Sequence, residues 1–187
     1  MKRNKIIQAT LAISKFSFWF FIVLLTVFVL TIGHSIISPA LYSNFQILND
    51  GNTLSFNFDY CPECTSTSNS ISLSEVSGLI KAWMILHFSA LMIFLILIQH
   101  EGIKIWKSVK EYKTFYSQNK LHFRQIAKYA LAIFIIGIFN FIDEGQKGIG
   151  LEIGLPIVWV ALALVSLGLS EIFKEGQLLQ EDRDSVV

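Results

Sequence analysis

The chain has 187 residues, of which 53% are hydrophobic and 16% are charged, and its formal net charge is +1. An average soluble domain carries about 25% charged residues, so this composition excludes intrinsic disorder, a collagen-like fibre and a nucleic-acid binder that works through bulk positive charge. Two cysteines exclude a disulfide-dense scaffold. A soluble protein with a very apolar core and an integral membrane protein both remain.

Four long apolar runs predict transmembrane helices at residues 16–33, 78–98, 126–142 and 152–172. Each run has about 17–21 residues, and a helix of that length rises far enough to cross a hydrocarbon core of about 30 Å. Because a backbone inside lipid must pair its own polar groups, we expect all four runs to be helical. We therefore predict an all-α integral membrane protein, with residues 1–187 forming a single four-helix domain.

The basic residues of the connecting segments predict the orientation of the chain. Lysine and arginine are frequent at the N-terminus and in segment 99–125, whereas segment 34–77 contains neither. We therefore expect both termini, the loop 99–125 and the tail 173–187 in the cytoplasm of a bacterial cell, with the loop 34–77 outside. The localisation predicted is the bacterial inner (plasma) membrane.

The first apolar run also has the surroundings of a cleaved signal peptide. Lys2, Arg3 and Lys5 precede it, and the small residues Ser-Pro-Ala follow at 38–40. The apolar core of a signal peptide is usually about 7–15 residues long. The greater length of this run favours a retained transmembrane helix.

The external loop 34–77 contains a hairpin pattern. Apolar and polar residues alternate over 54–60, which is typical of a half-buried strand. Asp50-Gly51 precedes this stretch, and an Asp-Gly pair between alternating runs indicates a tight turn. We predict a small external β-hairpin cap between the first and second helices.

Cys61 and Cys64 form a C-x-x-C motif in the same loop. Such a pair can cycle between dithiol and disulfide, or supply half of a zinc site, and an oxidising exterior favours a disulfide that tightens the loop. The placement also resembles that of quinone-reducing bacterial thiol oxidases. Those enzymes relay electrons through a second cysteine pair, which this chain lacks. The structural, redox and zinc alternatives remain open.

Three ionisable residues in or beside the predicted helices are candidates for an intramembrane function. Lys81 lies near the outer end of the second helix, where its amine can reach the interface, and His87 lies deeper. Glu152 begins the fourth helix, where an acidic group suits the N-terminal end of the helix dipole. A proton relay would need further acids inside the helices, so we favour structural roles for all three.

Small residues predict a helix–helix interface on the fourth helix. Six positions fall within about 40° of one line along it, and small residues on such a line let helices approach closely in lipid. These positions are Glu152, Pro156, Trp159, Ala163, Ser166 and Ser170. Ala130 and Gly137 form a shorter version of the pattern on the third helix.

The two cytoplasmic segments carry opposite charge. Segment 99–125 has six basic and two acidic residues, whereas the tail from Glu171 has five acidic and two basic residues. The basic segment has an amphipathic helical pattern and can lie against anionic lipid, or it can dock an acidic partner. Gly176 is a candidate for the end of the fourth helix, and a contact between the two segments is a further alternative.

Two stretches resemble a known family. One precedes the third helix and contains Phe115, Asn119, Arg124 and Ile126, and the other is the tail with Phe173, Gly176, Leu179, Asp182 and Asp184. Together they resemble the bacterial membrane proteins grouped as domain of unknown function 2975, which have four spans. That family has no established activity, and its members are often encoded beside a small helix-turn-helix regulator. The resemblance implies a cytoplasmic face that binds such a DNA-binding regulator.

No motif of a nucleotide-binding loop, zinc protease or serine hydrolase is present in the sequence. We therefore predict a non-enzymatic regulatory or signalling partner without a cofactor or metal, which contacts the lipid bilayer and does not bind nucleic acid directly. Homo-oligomerisation is compatible with this prediction. An external thiol–disulfide oxidoreductase using Cys61 and Cys64 is the first alternative, and a small transporter or lipid-binding subunit is the second.

Overall fold

Helices account for most of the chain in the computed structural model, which describes residues 2–43, 45–49, 54–57, 70–111, 117–143 and 149–185. The α-helices of these residues are α1 (Lys2–Ile37), α2 (Gly78–Lys110), α3 (Ser117–Gly137) and α4 (Ile157–Ser185). A short 3-10 helix spans Pro39–Tyr42. The strands are β1 (Gln46–Asn49), β2 (Leu54–Asn57), β3 (Ser70–Ser72), β4 (Phe139–Asp143) and β5 (Ile149–Ile153).

Three helices are long and apolar enough to cross a bilayer. They are α1 over Lys5–Ile37, α2 over Gly78–Lys110 and α4 over Ile157–Arg183. Within their most apolar windows only 11%, 11% and 17% of the residues are buried inside the chain. Apolar surface of that extent is stable in hydrocarbon and not in water. The chain is therefore a multi-pass membrane protein in contact with lipid.

The prediction of four transmembrane helices is wrong, because α3 is not among the helices that are long and apolar enough to cross a bilayer. The apolar run 126–142 is helical only as far as Gly137, and Phe139–Asp143 forms strand β4 instead. The apolar helical part of α3, residues 126–137, is shorter than the about 20 residues of an independent apolar span. Helix α3 as a whole nevertheless lies antiparallel along α4, from Lys120 beside Ser170 to Gly137 beside Pro156, and so returns the chain to the start of α4. The first half of α3 also carries Lys120, Arg124 and, near its middle, Lys128.

The predicted start of the fourth helix is wrong as well. Residues 152 and 153 belong to β5, which pairs antiparallel with β4 from Phe139↔Ile153 to Asp143↔Ile149. Helix α4 begins at Ile157, directly after Pro156. A proline has no N–H and disfavours helical geometry in the residue before it, so it separates the β-ribbon from the helix.

The predicted β-hairpin cap is also wrong, because the described strands of this region form a three-stranded sheet and not an isolated hairpin. Strand β1 is the centre of a three-stranded antiparallel sheet in the order β2-β1-β3. Gln46 faces Asn57 of β2 on one side and Ser72 of β3 on the other. The third strand lies in a stretch that is rich in serine. The low hydrophobicity of this stretch gives no alternating apolar pattern from which a strand could be predicted. Together with the β4–β5 ribbon, this sheet adds two β-elements to the helices.

The described residues form two compact units, each with its own core. Unit 1 contains Met1–Leu24, Ala90–Ile138 and Leu155–Val187, and unit 2 contains Leu25–Ser89 and Phe139–Gly154. In unit 1, Ala127, Ala130 and Ala163 are buried together. Partly buried apolar residues pack against these three alanines: Ile98, Trp159 and Leu162.

The core of unit 2 lies where the C-terminal part of α1 meets the first turns of α2. Five buried residues form it: Ile32, Leu73, Val76, Ile80 and Met84. Phe28 of α1 packs beside this cluster, with its ring centroid 4.0 Å from that of Phe88 in α2. In unit 1, Phe18 of α1 lies near His100 of α2, with 6.2 Å between ring centroids. Within unit 2, the Phe28–Phe88 contact and the hydrogen bond between Lys81 and Ser35 show that the end of α1 runs antiparallel to the start of α2.

Candidate functional site

The polar contacts of unit 1 centre on Glu101 in α2, whose side chain is only 9% exposed. One carboxylate oxygen, Oε2, lies 2.5 Å from Nδ1 of His122 in α3. The other oxygen, Oε1, accepts a hydrogen bond from Nζ of Lys104 at 2.8 Å, and Nδ1 of His100 is 3.8 Å away. A buried carboxylate is costly unless it is paired, and here three side chains from two helices provide the pairing.

The contact between Glu101 and His122 indicates which of the two atoms carries the shared hydrogen. An ionised carboxylate only accepts hydrogen bonds, so Nδ1 of His122 carries the hydrogen. The imidazole is itself only 19% exposed. This contact therefore joins α2 to α3 through a largely desolvated polar pair.

A second contact joins the same two helices. Asn119, which is 1% exposed, donates a hydrogen bond from Nδ2 to Oγ of Ser108 at 2.9 Å. The buried amide places the start of α3 against the last turns of α2. Asn119 is one of the residues of the predicted family-like motif. Its hydrogen bond to Ser108 gives it a structural role in joining α2 to α3.

Helix α4 joins this polar region through its C-terminal half. Ser170 is 1% exposed, and its Oγ donates to the backbone oxygen of Lys120 at 3.1 Å. Nη2 of Arg124 lies 4.0 Å from Oε2 of Glu171, which also pairs with Lys174. The predicted contact between the basic segment and the tail is therefore present.

Aromatic packing supports the same junction between α3 and α4. The ring of Phe123 lies 5.0 Å from that of Phe173, measured between centroids. Ile126, another residue of the family-like motif, is 8% exposed. These apolar contacts lie directly beside the polar ones and hold the two helices in register.

The small-residue face predicted on the fourth helix is confirmed as a helix–helix interface from Pro156 onward. Ala163 is 1% exposed and Ser166 is 3% exposed, and Ala163 is buried against Ala127 and Ala130 of α3. A Cβ on Gly137 would lie 3.1 Å from Cγ of Pro156. A side chain at this position would press on the proline ring.

Glu152 departs from that predicted face. It lies in β5, in register with Asn140 of β4, rather than in a helix. The interpretation of Glu152 as the charged start of the fourth helix is therefore wrong. The reason is the same proline that delays α4 until Ile157.

Lys81 is buried in unit 2. The residue is 3% exposed, and its Nζ donates to the backbone oxygen of Ser35 at 3.1 Å. Helix α1 ends at Ile37, so this oxygen is one of the last carbonyls, which lack a partner within the helix. A cation at a helix C-terminus also interacts favourably with the helix dipole. Lys81 therefore caps α1.

The remaining intramembrane candidate, His87, packs on an aromatic ring. Its imidazole stacks on Trp83 one turn earlier, with 5.8 Å between centroids and 14° between planes. At the other end of the same unit, Nδ1 of His34 lies 3.0 Å from the hydroxyl of Tyr42. These contacts give both histidines packing roles within unit 2.

Several predicted site residues do not take part in these contacts. Cys61, Cys64 and Phe115 lie outside the described residues. Gly176 does not end α4, which continues to Ser185 and includes Leu179, Asp182 and Asp184. The helix therefore carries the acidic residues of the tail on a continuous helical surface.

Glu101, His122 and Ser35 were missed by sequence reasoning. Glu101 follows an apolar run directly, and Lys104 lies three residues later, a spacing that places both on one side of a helix. That spacing was the available signal for the ion pair. The contact with His122 depends on tertiary packing and has no local signal.

Within the described ranges, no group of three or more His, Cys, Asp and Glu side chains is placed to hold a metal ion. Comparison with protein-family models, with curated proteins and with solved structures finds no match to this chain. The contacts of the chain itself are therefore the basis for a functional proposal.

Proposed function

We propose that this chain is a non-enzymatic regulatory protein of a bacterial inner membrane that binds a protein partner through one polar surface. The surface comprises residues 99–110 of α2, Glu111, residues 117–125 of α3 and residues 170–185 of α4. We call it the polar end of unit 1. The observation that carries the proposal is the joining of these three segments by the Glu101–His122, Asn119–Ser108 and Arg124–Glu171 contacts.

The exposed residues of this surface suit a protein partner. Lys107 and Lys110 are exposed at the end of α2, and the end of α4 exposes Glu181 beside Leu178 (46%) and Leu179 (69%). Two exposed leucines among charges on an ordered helix provide an apolar centre with a polar rim, which is the usual anatomy of an interface. A merely solvated tail needs no such leucines.

The orientation belongs to the same proposal. The Phe18–His100 and Arg124–Glu171 contacts support a common side for the N-terminal half of α1, the end of α2 and the end of α4. The positive-inside rule assigns that side to the cytoplasm, since it carries most of the lysines and arginines. The polar end of unit 1 then faces cytoplasmic proteins.

The resemblance to the domain of unknown function 2975 suggests a small helix-turn-helix regulator as the partner. Binding at the membrane would hold such a regulator away from DNA or release it on a signal. Neither outcome requires catalysis, a cofactor or direct contact of this chain with nucleic acid. The external pair Cys61 and Cys64 would serve the loop and not the partner.

The proposal is tested with the tagged full-length chain in native membranes. A photoreactive residue at Leu179 should crosslink to one cytoplasmic protein, whereas the same residue at Leu164, which is 65% exposed on the apolar part of α4, should not. A photoreactive residue at position 110 in α2 should crosslink to the same protein. Replacing Leu178 and Leu179 together by Ser should abolish that second crosslink. Replacing Cys61 and Cys64 by Ser should leave it intact.

Two results would overturn this assignment. Equal crosslinking from Leu164 and Leu179 would mean that the label reports lipid-phase proximity and not a docked partner. Loss of function in the Cys61→Ser, Cys64→Ser double variant, with partner capture unaffected, would favour thiol chemistry instead.

A further inference from the structure

Helix α3 combines basic and apolar side chains on its exposed face. Lys120, Arg124 and Lys128 recur at intervals of four residues, which places them on one side of the helix. Leu121, Leu131 and Ile135 flank them and are exposed by 54%, 41% and 62%. A mixed surface of this kind is typical of helices that contact the headgroup and acyl regions of a bilayer together.

The packing of α3 against α4 determines which side of α3 is free. Ala127 and Ala130 are buried against Ala163, so the exposed Lys128 between them in sequence points away from α4. On this free side, Leu131 and Ile135 follow within two turns of α3 and are exposed by 41% and 62%. Lys128 therefore lies beside exposed apolar surface of its own helix.

The three basic residues differ in their counter-charges. Arg124 lies 4.0 Å from Glu171, and Lys120 is close enough to contribute to the electrostatic environment of the same carboxylate. Among the described residues, Lys104, Arg124 and Lys174 take part in ion pairs, whereas no ion pair involves Lys128. Lys128 is a cation beside exposed apolar surface without a described acidic partner.

The direction of the Lys128 side chain determines which layer of the bilayer its amine reaches. Side chains on a helix tilt toward its N-terminus, so the amine of Lys128 extends toward Arg124 and the polar end of unit 1. A lysine at membrane depth places its amine at the nearest polar layer in this way. That layer contains the phosphate groups of the lipids.

We propose that Lys128, together with Arg124, binds the phosphate of an anionic phospholipid, with its acyl chains lying against Leu131 and Ile135. A second copy of the chain is a poorer source of negative charge. Among the acids of the candidate spans, Glu101 and Glu171 are already paired inside one chain. The others, Glu175, Glu181 and Asp182, lie toward the end of α4, beyond Glu171. Phospholipid supplies an anionic phosphate at the required depth and an apolar body of the required shape.

The test uses the purified full-length chain in a neutral detergent and native mass spectrometry of its lipid adducts. Phosphatidylglycerol should bind more tightly than phosphatidylcholine. Lys128→Gln should weaken phosphatidylglycerol binding about fivefold, the factor that one basic side chain contributes at an anionic membrane surface, and leave phosphatidylcholine binding unchanged. Lys128→Arg should retain the wild-type preference.

Lys110→Gln is the matched control, because it removes the same charge from an exposed position at the end of α2. Equal weakening by Lys110→Gln and Lys128→Gln would overturn the site, since it would show a response to net charge alone. Displacement of phosphatidylglycerol by inorganic phosphate would overturn the lipid assignment in favour of a soluble phosphate. A shift from dimer to monomer in Lys128→Gln, without a change in lipid adducts, would point to a second copy instead.

Discussion

At the residue scale, two buried ionisable groups are stabilised by different partners. Glu101 has a histidine and a lysine within hydrogen-bond distance, whereas Lys81 has a backbone oxygen at the end of α1. The first arrangement neutralises a charge, and the second uses the charge to cap a helix. Removing one partner of a buried polar pair leaves the other unsatisfied, which costs more than the pair contributes.

Glu101→Ala should therefore lower the free energy of unfolding by about 1–3 kcal/mol, because His122 and Lys104 lose a buried acceptor. Thermal unfolding of the full chain in detergent measures this change. The double variant with His122→Ala should be less destabilised than the sum of the two single variants, because the two residues share one contact. Glu75→Ala, on an exposed residue just before α2, is the control, and strict additivity of Glu101→Ala and His122→Ala would contradict the contact.

At the element scale, α3 and α4 approach most closely through small residues. Gly137 faces Pro156 at one end of the pair, Ala130 faces Ala163 in the middle, and Ser170 reaches the backbone of Lys120 at the other end. Helices in lipid gain little from the hydrophobic effect on association, so close packing and hydrogen bonds hold them together. The interface is accordingly sensitive to added volume.

Gly137→Ala should destabilise the chain by about 1 kcal/mol or more, because the new methyl would meet the rigid ring of Pro156 at 3.1 Å. Gly168→Ala in α4 is the matched control, since a Cβ there meets nothing within 4 Å. Alanine is the better helix former, so this control should gain about 0.5–1 kcal/mol. Urea unfolding in mixed micelles compares the two, and the same sign for both would refute the close approach at Gly137.

At the scale of the whole molecule, the ends of three helices meet in one polar region. The end of α2, the start of α3 and the end of α4 share the Glu101–His122, Asn119–Ser108 and Arg124–Glu171 contacts. A chain that places its charged segments together in this way exposes both signs of charge on one side of the membrane. We therefore expect cysteines placed in these segments to have the same accessibility to a reagent added outside the cell.

In a Cys61→Ser, Cys64→Ser background, single cysteines at Lys110 and Glu181 should both resist an impermeant thiol reagent in intact cells and react after lysis. A cysteine at Leu41, which is 69% exposed in the short helix after α1, should react before lysis. The expected pattern follows from the positive-inside rule and the antiparallel course of α1 and α2. Opposite behaviour of the cysteines at 110 and 181 would contradict the shared polar region.

Sequence alone determined the class of this protein and the approximate position of its three most apolar helices. Hydropathy over about 20 residues reports directly on the solvent a helix requires, so the transmembrane character of α1, α2 and α4 was predictable. The small-residue face from Pro156 to Ser170 was predictable too, because a helical period of 3.6 residues places those side chains on one side. These properties depend on neighbours along the chain.

Only the tertiary structure decided where the apolar runs stop being helical and which polar groups meet. The apolar run that begins within α3 continues into residues 139–143, yet these residues pair with β5 as strand β4. His122 has no local relation to Glu101, and Ser35 has none to Lys81. Such pairings join residues distant in sequence. They are needed because the partners are buried, and a local pattern does not contain that burial.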